Sequence, residues 1–227
     1  MTMNFEKKNL TIIIPHPDDE ILGAGGTIAL YSSMGWKINA LVVSGHLPPL
    51  YSIEDFELTK NEYINASKIV GIDNTKFLKL PATKINEYPV SDLNKNIYNF
   101  IEETDPSILL IPFPDRHIDH RLIFESAMVS SRPVSAGKKI TLVAAYETLS
   151  ETHWNAPFIE PNFIPNININ ISDVFEKKIE ALRCYKSQID EKTSPRSIEA
   201  IGSLARFRGS QCGYEYAESY VCIRFNL

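Results

Sequence analysis

The sequence is poor in cysteine, and this excludes several kinds of site. Only three of its 227 residues are cysteines, Cys184, Cys212 and Cys222, and their spacing contains no Cys-x-x-Cys pair. A disulfide framework or a cysteine-rich zinc site is therefore not expected, because both need more cysteines at paired spacing. We predict reduced, packed thiols, and we expect any bound metal to be held by histidine and carboxylate groups.

Long apolar runs and an excess of positive charge are also missing. The longest apolar runs, such as 108–111, have the length of a strand and are far shorter than a membrane span. Residues 1–9 are polar and mixed in charge, unlike a signal peptide, so a cytoplasmic location is expected. The formal net charge of -5 indicates no basic surface for nucleic acid.

Apolar strand-like runs alternate with helix-like segments along most of the chain. This alternation predicts a single α/β domain over residues 1–227, with a Rossmann-like three-layer fold and a mostly parallel sheet that has helices on both faces. The predicted strands are 10–14, 38–44, 76–80, 107–111, 140–146, 167–171 and 219–225. The predicted helices are 25–34, 54–70, 92–103, 120–130, 172–187 with Ser172 as its N-cap, and 197–207. A long loop with three prolines is expected at 147–168.

Two polar motifs stand at predicted strand-to-helix junctions. The first, PHPDDE at 15–20, directly follows the first predicted strand, and the second, DRHIDH at 115–120, follows the fourth. Parallel strands end at the same edge of a sheet, where ligands of open α/β folds bind. The two motifs are therefore expected to meet at one site, although they are about a hundred residues apart in the chain.

The residue types in these motifs suit a catalytic metal. His16 and Asp19 can converge on one ion from a turn, and either His117 or His120 can supply the third ligand. Three protein ligands leave a position for water, as in catalytic zinc sites. One aspartate of the Asp18–Asp19 pair can bind the metal while the other acts as general base. One histidine of the second motif can likewise stabilise an oxyanion. The spacing alone leaves both choices open.

In combination, these motifs resemble the LmbE/PIG-L family of zinc-dependent N-acetylglucosaminyl deacetylases. The likeness includes the glycine-rich stretch after PHPDDE and two later segments, KKIEALRCYKSQ and EAIGSLARFRGSQCGYEYAESY. The resemblance implies that His16, Asp19 and His120 bind zinc. It also implies that Asp18 is the general base and that His117 stabilises the oxyanion. The remaining motif aspartate, Asp119, would tune that histidine.

The implied reaction removes the N-acetyl group from an N-acetylglucosamine-type sugar or its conjugate and releases acetate. Arg116 and Arg132 are candidate substrate-binding residues, because a guanidinium group suits a phosphate or carboxylate, and the aromatics of 147–168 are a candidate wall for the sugar. Fe²⁺ or Co²⁺ are alternatives to Zn²⁺, and the resemblance allows a homo-oligomer. Two other functions stay open: a metal-dependent amidase acting on a non-sugar acetamide, and a non-catalytic nucleotide-binding module.

Overall fold

Strands and helices alternate through the first two thirds of the chain. The structure, a computed structural model, describes residue 5 and residues 7–226. The strands are β1 (Asn9–Ile14), β2 (Lys37–Gly45), β3 (Asn74–Pro81), β4 (Ile108–Pro112), β5 (Leu142–Tyr146), β6 (Ile167–Asn170) and β7 (Ala217–Phe225). The helices are α1 (Asp19–Ser33), α2 (Ile53–Val70), α3 (Val90–Thr104), α4 (Ile118–Ser130), α5 (Leu149–Thr152), α6 (Phe175–Leu182) and α7 (Ile198–Ser210).

All the described strands join one sheet in the order β3-β2-β1-β4-β5-β7-β6. The strands β1 to β5 run parallel, while β7 lies antiparallel to both β5 and β6. The winding direction reverses between β1 and β4, which pair directly, with Leu10 opposite Ile108. The predicted α/β class with a mostly parallel sheet is confirmed, and the reversal is the position where such folds bind ligands.

Hydrophobic residues fill both faces of the sheet. Successive strand side chains point to opposite faces, so Ile12 and Ile14 join the core beneath α1, α2 and α6, whereas Ile13 joins the core beneath α3 and α4. Because both faces are covered, β1 is buried along nearly its whole length. Within the described residues, no helix combines the length and apolarity needed to cross a membrane.

The first helix begins earlier than the sequence predicts. The sequence predicts a start at Gly25, after a glycine-rich turn, but α1 begins at Asp19 and the glycines lie inside it. They permit close packing: a Cβ at Gly23 would lie 2.3 Å from the Tyr146 ring and 2.6 Å from the carbonyl oxygen of Glu147. A Cβ at Gly26 would lie 2.7 Å from Ile171. The prediction failed because glycines usually break helices and therefore predict a turn. Here they lie within the helix and allow its close contact with neighbouring segments.

This close packing predicts opposite effects for two helical glycines. Gly23→Ala should lower the free energy of unfolding by about 2 kcal/mol, because the methyl group meets backbone that cannot move aside. Gly202→Ala, inside α7, meets only the Phe175 ring at 3.6 Å, so it should raise that free energy by about 0.5–1 kcal/mol through helix propensity. Urea denaturation of both variants tests this. Equal changes in the free energy of unfolding would show that the close contact at Gly23 does not destabilise the alanine variant.

A buried ion pair from the C-terminal part of the chain holds α1. The Glu218 carboxylate accepts hydrogen bonds from the backbone N–H groups of Gly26 and Thr27. The ammonium of Lys178 lies 2.6 Å from Glu218 and also donates to the carbonyl oxygen of Leu22. Both charged side chains are only 4% exposed. The helix that follows the first motif is therefore positioned by α6 and β7.

Two predictions for the C-terminal part need correction. The helix expected from Ser172 to Ser187 is shorter, because one 3₁₀ turn covers 172–174 and α6 ends at Leu182. Ser172 is not its N-cap: its hydroxyl and backbone N–H both donate to the Asn170 side chain, a local turn that competes with the cap. Residues 147–168, expected to be a loop, contain the short helix α5 before the irregular stretch 153–166.

Candidate active site

Both polar motifs meet where β1 and β4 end. The residues after β1 and those leading into α4 line one cleft with a cavity volume of about 190 Å³. A single water needs about 10–15 Å³ measured in the same way, so the cleft has room for a small-molecule group. Its walls also include residues from other segments: His46, Tyr51, Glu151, Gln188 and Arg196.

A group of metal-donor atoms lies at the floor of this cleft. Oδ2 of Asp19 is 3.2 Å from Nδ1 of His16 and 3.3 Å from Nε2 of His120. Ligands about 2.1 Å from a tetrahedral ion lie about 3.4 Å from one another, so these separations suit one shared ion. A ring nitrogen of His117 lies within 4.8 Å of ring nitrogens of both other histidines. Nε2 of His120 is buried without a hydrogen-bond partner among the described residues. These side chains fit a metal.

Two of these histidines, His16 and His120, are each held through the other ring nitrogen by a carboxylate. Nε2 of His16 lies 2.9 Å from Oδ2 of Asp119, and Nδ1 of His120 lies 3.0 Å from Oδ2 of Asp115. The backbone N–H of Thr83 also donates to Asp119, at 2.7 Å. Such carboxylate–histidine pairs orient metal-binding imidazoles in proteins. They leave Nδ1 of His16 and Nε2 of His120 directed at the shared position.

Sequence reasoning assigned no role to Asp115, although it lies in the second motif. Its carboxylate also accepts hydrogen bonds from the hydroxyl of Thr152 and the backbone N–H of His117. The Asp119 carboxylate, expected to tune His117, instead contacts His16, and Asp119 bonds to His117 only through its backbone N–H. Position in the motif shows that these aspartates are near the site, but it does not show which imidazole each one contacts.

Asp18 is held in an uncommon backbone conformation beside the donor atoms. Its φ of 122° lies in the region that favours glycine, and such strain is concentrated at functional sites. Its backbone N–H donates to the Glu20 carboxylate, which in turn accepts a hydrogen bond from the Tyr185 hydroxyl. Burial raises the pKa of the Asp18 carboxyl to about 7, although the guanidinium of Arg196, 3.2 Å away, opposes this shift.

His117 is the N-cap of α4, and this fixes its tautomer. Its Nδ1 accepts a hydrogen bond from the backbone N–H of Asp119. Burial and the neighbouring His16 and His120 lower the pKa of His117 to about 4, so the ring is neutral near pH 7. With Nδ1 acting as an acceptor, the single proton of the neutral ring is on Nε2. His117 therefore presents an N–H donor to the cleft that it lines.

Comparison with known proteins identifies the family. Residues 11–130, more than half of the chain, match the PIG-L family, described as GlcNAc-PI de-N-acetylase. The chain belongs to the PIG-L family. A curated relative, diacetylchitobiose deacetylase from Thermococcus kodakarensis, is 29% identical over 96% of this chain and 83% of its own length.

Solved structures show that the PIG-L fold extends over nearly the whole chain. N,N'-diacetylchitobiose deacetylase from Pyrococcus horikoshii superposes with a TM-score of 0.75 and 22% identity, covering 96% of this chain and 84% of that one. GalB, a 4-carboxy-2-hydroxymuconate hydratase from Pseudomonas putida, superposes with a TM-score of 0.76 and 18% identity, covering 96% and 97%. The fold therefore carries more than one reaction, and the site must decide the chemistry.

Of the two arginines predicted to bind substrate, only Arg116 lies at the mouth of this PIG-L site. Its Nε is 3.7 Å from the carboxylate of the cleft residue Glu151, and its guanidinium lies over the Trp154 ring at 5.9 Å. Trp154 is 60% exposed. Together these side chains form a polar and aromatic rim beside the cleft.

Arg132 is not brought to the site. It follows the C-terminal end of α4, whose 13 residues separate it from the motif by roughly 20 Å. The carbonyl oxygen of the preceding Ser131 accepts a hydrogen bond from Arg224, which pairs with Val143 near the start of β5, whereas the site lies beyond the other end of the strands. The prediction chose Arg132 for its residue type, although the predicted helix 120–130 already places it at the helix end remote from the motif.

Proposed function

We propose that this protein is a zinc-dependent N-deacetylase that removes the acetyl group from an N-acetylglucosamine-type sugar or its conjugate. The observation that carries the proposal is the convergence of His16, Asp19 and His120 on one position, with Asp18 and His117 beside it. The three converging side chains would hold the ion. When bound, zinc polarises a carbonyl group and makes water more acidic. Membership of the PIG-L family and the deacetylase named above support this reaction type.

Asp18 is the general base in this proposal. Its carboxylate is buried beside the donor atoms and is fixed on one side by Arg196. It takes a proton from the attacking water and can deliver that proton to the leaving amine. A base with a pKa near the working pH performs both transfers efficiently. The hydrogen bond from the backbone N–H of Asp18 to the Glu20 carboxylate stabilises the backbone of Asp18 at its strained φ.

His117 stabilises the negative charge that develops on the acetamide oxygen. A neutral imidazole whose Nε2 carries the proton donates a hydrogen bond to that oxygen without first having to gain a proton. Because the backbone of α4 fixes the tautomer, the donor is already in place before substrate binds. Preorganised donors of this kind typically contribute about 10²–10³-fold in rate. The tuning role of Asp119 then acts partly through His16, whose ring it contacts.

The sugar would occupy the cleft, and the remainder of the substrate would pass over the rim. Glu151 and Arg116 offer acceptors and donors for hydroxyl groups, and the exposed Trp154 offers a flat apolar face. Phe163 packs against Phe113, 5.2 Å between ring centroids, and so adds to the core beneath α3 and α4. We propose Arg116 as a substrate contact on this basis.

Acetate release from purified protein tests the proposed function. The panel should contain N-acetylglucosamine, diacetylchitobiose, a UDP-N-acetyl sugar and a simple non-sugar acetamide, with metal content measured in parallel. We expect amino-sugar turnover that disappears on treatment with a chelator and returns when Zn²⁺ is added. Turnover of the non-sugar acetamide alone would support an amidase of different specificity. Stoichiometric metal without acetate release from any compound would contradict the proposal.

A further inference from the structure

We propose that Arg196 is a positioning residue that holds the Asp18 carboxylate in the orientation needed for proton transfer. The inference rests on the proposed function, because it assigns a purpose to a contact with the proposed base. Sequence reasoning gave Arg196 no role: it lies outside both motifs and is 178 residues from Asp18 in the chain. The structure nevertheless places its guanidinium 3.2 Å from Oδ2 of Asp18.

Asp18 has few other groups that can hold its side chain. The side chain is 4% exposed, and Oδ2 is buried without a hydrogen-bond partner in the described part of the chain. Within that part, Arg196 is the only cation that forms an ion pair with this carboxylate. A buried carboxylate without a paired cation is strongly disfavoured. Arg196 therefore both compensates the buried charge and restricts the rotation of the side chain.

Arg196 is itself held by neighbours from separate segments. Its Nε donates to the hydroxyl of Ser150 in α5, and Nη1 donates to the side-chain oxygen of Gln188. The next residue, Ser197, is the N-cap of α7 and accepts a hydrogen bond from the backbone N–H of Ala200. The guanidinium is thus fixed between two segments and a helix start, which distinguishes it from the flexible arginines of surface ion pairs.

Loss of the Arg196 guanidinium should disturb the orientation of the Asp18 carboxylate more than it weakens the binding of substrate. The carboxylate would be free to rotate, including toward the position where Asp19, His16 and His120 converge. A misplacement of about 1 Å can cost about 10²-fold in rate. Arg196 is 27% exposed and lines the cleft, so a small cation from solution can reach the space that it leaves.

The experiment compares Arg196→Ala with wild type in the metal-loaded enzyme. We expect kcat to fall by about 10–100-fold, with KM changed by less than about threefold and metal content unchanged. Guanidinium chloride, added far below its denaturing range, should restore part of kcat. In an Asp18→Asn background the same change should leave the residual turnover unaltered, because the group that Arg196 positions no longer acts as a base. Arg206→Ala, which removes an exposed pair with Glu215, is the matched control and should resemble wild type.

Several outcomes would overturn the role of Arg196. They are an unchanged kcat in Arg196→Ala, a loss that lies only in KM, and an equal loss in the Asp18→Asn background. Should Arg196→Ala unfold, Arg196→Lys decides the question: it keeps the charge without the fork geometry and should give an intermediate kcat with wild-type metal content. Wild-type protein that released no acetate would contradict the proposed function itself. Because that result comes from the unmodified enzyme, it is distinguished from a failure of the role proposed for Arg196.

Discussion

Asp18→Asn is expected to lower kcat by about 10²–10⁴-fold, the usual contribution of a general base, while the bound metal is retained. The amide has the shape of the carboxylate but cannot accept the proton of the attacking water. Metal should stay because the three proposed ligands are other side chains. The measurement is steady-state acetate release, with metal content by mass spectrometry. Asp92→Asn, at an exposed position in α3, is the control for a lost carboxylate.

The same variant should keep the fold, because two effects on its stability oppose each other. It removes a charge from a site that is 3% exposed, but it also leaves the Arg196 guanidinium without its paired carboxylate. Asparagine, like aspartate, occurs at positive φ more often than most residues do. Near-normal turnover in Asp18→Asn would show that another group is the base. Loss of metal together with turnover would show that Asp18 is a ligand instead.

His120→Ala should abolish stoichiometric metal binding, and turnover should fall at least as far as in Asp18→Asn. The Nε2 atom that this change removes is buried and directed at the shared position beside Asp19. Asp115→Asn should have a graded effect, because it only weakens the support of the His120 ring. Loss of such a partner typically costs about 10–100-fold in metal affinity. Titration against a competing chelator measures both variants.

His117→Ala separates the two possible ligand sets. If Asp19 completes the site, this variant keeps its metal and loses about 10²–10³-fold in kcat, as expected for a lost oxyanion donor. If three histidines hold the ion, the variant loses the metal as His120→Ala does. The geometry favours the first result: Nδ1 of His117 accepts a hydrogen bond from the backbone of α4, so Nε2 carries the proton and offers no lone pair to an ion. Metal loss in His117→Ala with metal retained in Asp19→Ala would contradict the proposed ligands.

The convergence of the two motifs could be predicted because each follows a strand directly. A parallel sheet brings strand ends to one edge. The approach of residues 15–20 to residues 115–120 could therefore be predicted without knowing any side-chain contact. The structure adds that β1 and β4 are adjacent in the sheet. This adjacency is what allows His16 and His120 to share one oxygen of Asp19.

Contacts between distant segments could not be predicted in the same way. Arg196 meets Asp18, and Thr148 donates to Asp19, through side-chain directions that depend on how α5 and α7 pack. The start of α1 was misplaced for a related reason, since the contacts that favour glycine at position 23 come from β5. Residue type shows what a group can do, whereas only packing shows which group it faces.

The ion pair beneath α1 has a consequence for how far this protein can be shortened. Residues 11–130, which match the family, contain every proposed ligand, yet Lys178 and Glu218 lie far beyond them. A fragment ending near residue 130 would expose the backbone groups of Leu22, Gly26 and Thr27 that this pair now bonds. The proposed metal ligands and general base all lie before residue 130, but the helix that carries Asp19 is supported by residues that lie beyond it.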